Sequence, residues 1–387
     1  MSNTITGLIP ELYSARDVIS RELTGLIPSV TRDMTFERAA VGQTVRSPVA
    51  PAAFASDISP NVTPPDDGDQ VIGSVDMTIT KSRRVPVRWE GEEERGLDNN
   101  GAGINTILRD QFAQAMRTLV NEVEFDLAAH QVQFSRAYGS AGTTPFGTAG
   151  NFTDASYAAK LLKDNGAPPT GNMLVLDTSA GANLIGVQSR TDIAGQDRML
   201  RQGVLLDTAG FAIRESAQIA QGFGSNVITG TVTVTGINAV GVTSIGVTTA
   251  AASGVIAIAG DIITFAGDSE KYIISADVTI GAATTGTVVL AAPGLRKATT
   301  AAQAISGVAA SSRSMAFAPS AIALATRAPA LPKQGDMATA RRIITDPVSG
   351  LSFEVSIYPQ YRQVQYEFAL AWGSQCVKTE HGVLLLG

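Results

Sequence analysis

Few residues in this sequence have the types and spacing that chemistry needs. Two histidines, His130 and His381, lie far apart in a chain of 387 residues, too few donors for an imidazole metal site or a catalytic triad. The one cysteine, Cys376, has no intrachain partner for a disulfide and reads as a packing residue. In the run DTSAG at 177–181, Asp177 stands where a nucleophile elbow needs glycine, and no nearby histidine could activate Ser179. Gly101 and Gly103 begin a dinucleotide-type turn, but Thr106 replaces its third glycine and no strand immediately precedes it. Asp66, Asp67 and Asp69 lack the spacing and closing glutamate of a calcium loop and read as a solvated turn. No catalytic residue, cofactor or metal is therefore expected.

Charge and hydropathy exclude further classes. Against 29 Lys and Arg stand 35 Asp and Glu, a formal charge of −6, so the chain as a whole does not advertise nucleic-acid or acidic-membrane binding. No apolar run of about 18 residues free of charges and turn residues reads as membrane-spanning. The opening MSNTITGLIPELYSARD has no basic start followed by an apolar stretch, which leads us to expect synthesis in the cytoplasm.

The chemistry is thus expected to be that of surfaces, and the elements that would present them come next. The longest is Ile104–Arg136. Ile104, Leu108, Phe112, Met116, Leu119, Val123 and Leu127 recur every three or four positions, which predicts one apolar helix face. With no proline or glycine to interrupt it, the helix would run roughly 50 Å, with Arg109, Asp110, Arg117 and Glu124 on a solvated side and Asn99 or Asn100 as its cap. Ahead of it, Pro10–Val30 has a partly helical pattern, expected to end or kink at Gly25 and Pro28. Prolines 48, 51, 60, 64 and 65 keep the next stretch extended. Val75, Met77 and Ile79, then Val85, Val87 and Trp89, alternate with polar residues, which predicts two strands of a projecting hairpin, the second confined to an edge by Pro86. Such a hairpin cannot bury its apolar face alone. Glu92, Glu93, Glu94 and Arg95 lead into a turn-rich hinge.

Beyond the long helix, Thr153 or Asp154 is expected to cap a short helix through Leu162, and Met173–Leu176 reads as a buried strand running into a second short helix. Arg198 and Arg201 precede a strand in which Phe211, Ile213 and Glu215 alternate with Ala212 and Arg214. From Ser216 through Gly260 there is no Asp, Glu, Lys or Arg, while β-branched residues and glycines alternate. That predicts an inserted all-β unit, an outward decoration rather than a ligand-binding barrel, able to fold by itself. After Ser312 a buried segment broken by Pro319 and Pro329 and a polar connector lead to two long antiparallel strands, Leu351–Ile357 and Val364–Trp372, joined through Tyr358-Pro359-Gln360-Tyr361 and preceded by the turn Asp346-Pro347-Val348-Ser349-Gly350.

In that order of elements, and in the opening LIPELYSARDVISRELTGLIPSVTRD, the segment VPVRWEGEEERGL and the ending ITDPVSGLSFEVSIYPQYRQVQYEFALAWGSQCVKTEHGVLLLG, the chain resembles the major capsid proteins of tailed double-stranded DNA phages. These have the Hong Kong 97 fold; the likeness is to the coat-protein branch of short-tailed enterobacterial phages. The resemblance implies an α+β fold with an N-terminal arm (1–43), an extended loop hairpin (44–98), a spine helix and peripheral domain (99–150), a central or axial domain (151–223), the inserted all-β domain (224–307), a return to the axial domain (308–335) and long C-terminal strands (336–387). It further implies a virion protein that self-assembles as hexamers and pentamers into an icosahedral shell. A scaffolding protein and portal would assist a procapsid that expands on packaging and encloses DNA without sequence-specific binding. Arg83, Arg84 and Arg88 are expected to meet Glu92, Glu93 and Glu94 of another subunit. Some relatives join a lysine to an asparagine; Lys81 with Asn99 or Asn100 lacks a visible supporting glutamate, and no such link is expected. A tail or decoration protein is the nearest alternative, and a secreted β-rich binding protein a more distant one.

Overall fold

A computed structural model describes residues 24–33, 38–49, 55–63, 68–99, 104–148, 152–188, 208–219, 232–249, 255–281, 284–346 and 349–387. Most of the expected arm helix, along with Asp66, Asp67, Asn100, Gly101, Gly103, Arg198 and Arg201, lies outside them. What is described of the arm ends in a single 3-10 turn, Ile27–Ser29.

Short strands Thr31–Asp33 (β1) and Arg38–Ala39 (β2) are followed by Thr44–Val49 (β3), Gly73–Thr78 (β4) and Lys81–Glu90 (β5), then helices Gly91–Asn99 (α1) and Ile104–Ala128 (α2). Next come Arg136–Tyr138 (β6), Thr153–Asp164 (α3), Asn172–Leu176 (β7), Thr178–Gln188 (α4) and Phe211–Glu215 (β8). The charge-poor region supplies Val232–Val234 (β9), Ser244–Thr249 (β10), Val255–Ala257 (β11), Ile262–Phe265 (β12), Lys271–Ile273 (β13), Val278–Ile280 (β14), Thr285–Val289 (β15) and Ala304–Gly307 (β16). Arg313–Phe317 (β17), Ile322–Pro329 (β18), Ala340–Thr345 (β19), Ser352–Gln360 (β20), Gln363–Cys376 (β21) and Gly382–Leu386 (β22) complete an α+β chain.

Two sheets carry the architecture. One runs β1-β18-β21-β20-β19, with β5 added to β21 and β2 to β18. Its centre is the antiparallel β20–β21 pair in register Glu354↔Ala369 to Gln360↔Gln363, as the alternation predicts. The turn is tighter than expected: Tyr361 and Arg362 make it, with Arg362 at φ 55°, and Pro359 stays inside the strand. The other sheet runs β15-β10-β9-β16-β12-β13-β6-β22-β17-β7-β8. The all-β region is therefore continuous with the central domain, through the antiparallel contact of β13 with β6. That seam is polar as well. Arg136 is buried beside Glu270 at 3.7 Å, Lys160 of α3 lies 3.4 Å from Glu270, and Arg313 donates to the Gly260 carbonyl at 2.6 Å. The region still keeps its own core, which includes Val232, Val247, Ile263, Phe265, Tyr272 and Ile305.

Helix α2 lies on the first sheet, where Leu119, Val123 and Leu127 join Phe353, Phe368, Leu370 and Trp372 in the main core. Three expectations change here. The helix ends at Ala128 and a 3-10 turn, Ala129–Gln133, follows. Tertiary pairing takes over from helical spacing there, because Ser135 donates to the Gly382 carbonyl and Arg136 enters β6 beside β22. Glu124 is buried, not solvated. The supposed hinge after Glu90 is helix α1, whose first turn holds Glu92, Glu93 and Glu94, well placed against the positive end of the helix dipole. At α3 neither Thr153 nor Asp154 caps. Phe152 takes the N-cap position without a side-chain bond, and Asp154 accepts the Phe146 amide instead.

Candidate assembly surface

The segment expected to project as one hairpin splits into two parts with different fates. β4 pairs with β3, in register Thr44↔Thr78 to Val49↔Gly73. β5 pairs with β21, from Lys81↔Trp372 to Glu90↔Gln363. β5 thus has a partner in its own chain, contrary to the expectation that it packs on nothing intramolecular. It is an edge strand, with Pro86 opposite Glu367, as the missing proline N–H requires.

Polar side chains on α2 and the 3-10 turn after it tie β5 and β21 to the helix. Glu122 and Asp126, four residues apart, share one face of α2, and His130 follows in the 3-10 turn that continues it. Asp126 accepts Lys81 Nζ at 2.7 Å through one oxygen and Trp372 Nε1 at 2.8 Å through the other. Glu122 lies 3.5 Å from Arg83 Nε. His130 Nε2 bonds Ser374 Oγ at 2.8 Å, and burial pushes the His130 imidazole below its ordinary value. At the other end of the strand, Trp89 Nε1 donates to Gln111 at 2.8 Å. Between these bonds Val85 and Val87 pack on the core beside Phe112, whose ring lies 5.0 Å from that of Tyr366 and 5.1 Å from that of Phe368.

Of the six residues singled out as intersubunit contacts, Arg83 pairs with Glu122 and Arg84 with Glu367, at 2.7 Å, both in the same chain. Arg88 lies opposite Gln365. Glu93 accepts the Glu90 amide at 3.2 Å, and Glu92 and Glu94 lie beside it on α1. Lys81 is engaged by Asp126.

The β3–β4 ribbon behaves differently. Its root is seated, with Met77 and Ile79 buried against Ala39, Ala325 and Ala371. Further out, Arg46 grips Asp76 across the ribbon at 2.7 and 2.9 Å. Beyond it Ile58 is 98% exposed, Val62 100%, Val71 88% and Ile72 72%. Four β-branched side chains of the connection between β3 and β4 are thus left to solvent. Among the described residues no group of three or more His, Cys, Asp or Glu is placed to hold a metal, and no helix is long and apolar enough to cross a membrane.

Reading the sequence missed Glu124 and Asp126, the two α2 carboxylates with the most structural partners. The four-residue spacing of Glu122, Asp126 and His130 was the available signal.

No family model matches the sequence, and no curated protein matches it. Several solved structures are similar over nearly the whole chain. One, from Mycobacterium phage Che8, shares 14% identity at a TM-score of 0.46, covering 99% of this chain and 98% of that one. The capsid of cyanophage P-SCSP1u shares 12% at a TM-score of 0.49, over 100% and 96%. The mature capsid of bacteriophage PhiM1 shares 9% at a TM-score of 0.48, over 95% and 88%.

Proposed function

We propose that this chain is the major capsid protein of a tailed double-stranded DNA phage, a Hong Kong 97-type subunit that closes into an icosahedral shell of hexamers and pentamers. The observation that carries this reading is the β3–β4 ribbon, rooted in the body yet bearing Ile58, Val62, Val71 and Ile72 between 72% and 100% exposed. A neighbouring copy laid against them would remove that apolar area from water. The net charge of −6 suits a shell that surrounds DNA without gripping phosphates. The finer assignments belong to the same reading: the short-tailed enterobacterial branch, a scaffolding protein and portal, expansion of a procapsid on packaging, and residence in the virion after synthesis in the host cytoplasm. Sedimentation and negative-stain images of the purified chain test it. Closed shells of uniform diameter are expected; open tubes would favour the tail-protein alternative, and a monomer at every concentration overturns the proposal.

Two further expectations follow. Reversing charge at Arg83 and Arg84 should cost less than about 1 kcal/mol per pair in folding, because exposed ion pairs are weak; both side chains are more than half exposed. Shell yield should nevertheless fall if these arginines also meet Glu92–Glu94 of a neighbour; normal particles from the double variant would argue against that contact. The second concerns the all-β region. With a core of its own and a short seam to β6, residues 224–307 should give a β-type circular-dichroism spectrum and a cooperative melt when expressed alone. A random-coil spectrum would show that it depends on β6 and β17.

A further inference from the structure

Where β6 leaves the larger sheet, the turn 139–148 lies against the end of β22 and encloses, with the start of α3, a cavity of about 420 Å³. Its floor is apolar and buried, made by Pro145, Phe146, Leu385 and Leu386. Its rim is exposed and carries the hydroxyls of Ser140, Thr143 and Thr148. Between floor and rim stand two half-buried polar groups, the Tyr138 phenol and the Asp154 carboxylate. The Tyr138 ring stacks on that of Tyr157 from α3, 4.5 Å away and within 4° of parallel. Burial, and after it the charge of Asp154, raises the Tyr138 phenol above its ordinary value, so it stays a hydrogen-bond donor.

The turn is held in this shape from three sides. The Gly142 amide donates to the Gly387 carbonyl at 3.2 Å, Asn183 Nδ2 of α4 to the Pro145 carbonyl at 3.1 Å, and the Phe146 amide to Asp154 Oδ2 at 2.8 Å. Phe146 is buried at φ 60°, a left-handed conformation that bulky side chains rarely adopt, and backbone strain of this kind gathers at ligand sites. The lining then narrows the ligand. Among the described residues no Lys, Arg or His lines the cavity, so phosphates and carboxylates find no counter-charge. A simple cation would meet a single carboxylate above an apolar floor. A hydrocarbon would strip water from Asp154 and the hydroxyls without replacing their bonds. A ring with an apolar face and hydroxyls around its edge suits both parts of the wall. We propose that this cavity binds the pyranose ring of a carbohydrate, its C–H face on the floor, its hydroxyls donating to Asp154 and bonded by Tyr138 and the rim. The site stands independently of the shell reading.

The test is saturation-transfer NMR and calorimetric titration of the full-length chain with glucose, galactose, mannose and N-acetylglucosamine, each free and as its methyl glycoside. At least one should bind with a millimolar dissociation constant. Binding of the methyl glycoside as well as the free sugar marks the terminal residue of a glycan, and binding of the free form alone marks a free sugar; both support the site. Thr143→Trp fills the mouth and should weaken binding at least about tenfold. Asp154→Asn keeps an acceptor for the Phe146 amide but loses the charged one, and should weaken binding about tenfold. Thr143 is exposed, so its variant should melt like the parent and reads the site even where Asp154→Asn melts lower. No sugar binding at about 100 mM overturns the proposal. So does tetrahydropyran binding as tightly as the sugars, which would leave the hydroxyls unused, or butylammonium binding more tightly, which would make this a cation site. Sugar binding unchanged in Thr143→Trp overturns it as well, by placing the sugar elsewhere.

Discussion

Replacing Gly373 with alanine will destabilise the chain by about 3 kcal/mol and lower shell yield further than that loss alone explains. Gly373 lies in β21 where the end of β4 crosses it. A Cβ there would run into the Thr78 carbonyl oxygen and stand 2.8 Å from the Thr78 carbonyl carbon and 2.9 Å from the Ile79 Cα. These are backbone atoms on both sides, which no rotamer change can relieve. The crossing is also where Thr80 donates to the Trp372 carbonyl at 3.0 Å and where Met77 and Ile79 are seated. Displacing it swings the ribbon while leaving α2 and the β20–β21 pair in place. Thermal melts should drop by several degrees, and surviving folded protein should assemble poorly. Gly96→Ala is the control, because nothing lies within 4 Å of a Cβ there and alanine favours a helix over glycine by up to about 1 kcal/mol. A Gly373→Ala chain that melts and assembles like the Gly96→Ala chain would show that β4 does not press on β21.

How much of this was legible in the sequence depends on whether the deciding contact is local. The alternation from Ser352 to Trp372 identifies β20 and β21 because both strands are half-buried, and a period of two survives in the residues themselves. Phe211, Ile213 and Glu215 reveal β8 for the same reason. The partner of β5 was not legible. Adjacency in sequence suggested β4, whereas the strand pairs with residues about 280 positions away, and no local pattern distinguishes the two. Helix α1 was hidden by Gly91, Gly96 and Asn99, which read as turn residues. The three glutamates that open it were the counter-signal, since acids gather in first turns. The all-β region was legible as β but not as part of a larger sheet, because β13 and β6 meet over only two residue pairs, Lys271↔Ala137 and Tyr272↔Arg136. Of the candidate surface, the exposed ribbon was anticipated in kind. The polar side chains of α2 that tie β5 to the helix and the buried carboxylate at position 124 were not.

That carboxylate leads to the second large effect. Glu124 reads as solvent-facing because charge on a helix usually is, yet it is 1% exposed since the chain brings three donors to it. Its Oε1 accepts the Leu26 and Ile27 amides at 3.0 and 2.8 Å, and Oε2 accepts Ser216 Oγ at 2.9 Å. The root of the arm and the segment leaving β8 are thereby tied to the middle of α2. Glu124→Ala leaves two buried amides and a hydroxyl without an acceptor and should cost about 4 kcal/mol. Glu124→Gln keeps an acceptor and should cost far less. The pH dependence separates the two roles of the group. Burial raises the Glu124 carboxyl above the ordinary carboxylate range, with the bonds from Ile27, Leu26 and Ser216 opposing that rise. A carboxyl held more tightly protonated when folded contributes stability that is full below its unfolded value and is lost as pH rises through its folded value. The parent chain should therefore gain stability over Glu124→Gln on acidification through that window, and the gap should narrow toward neutral pH. Glu215, also raised by burial and by Asp177, is present in both chains and cancels in the difference. A gap that widens with rising pH would mean that the three donors outweigh desolvation and that the ionised clamp is the favoured form.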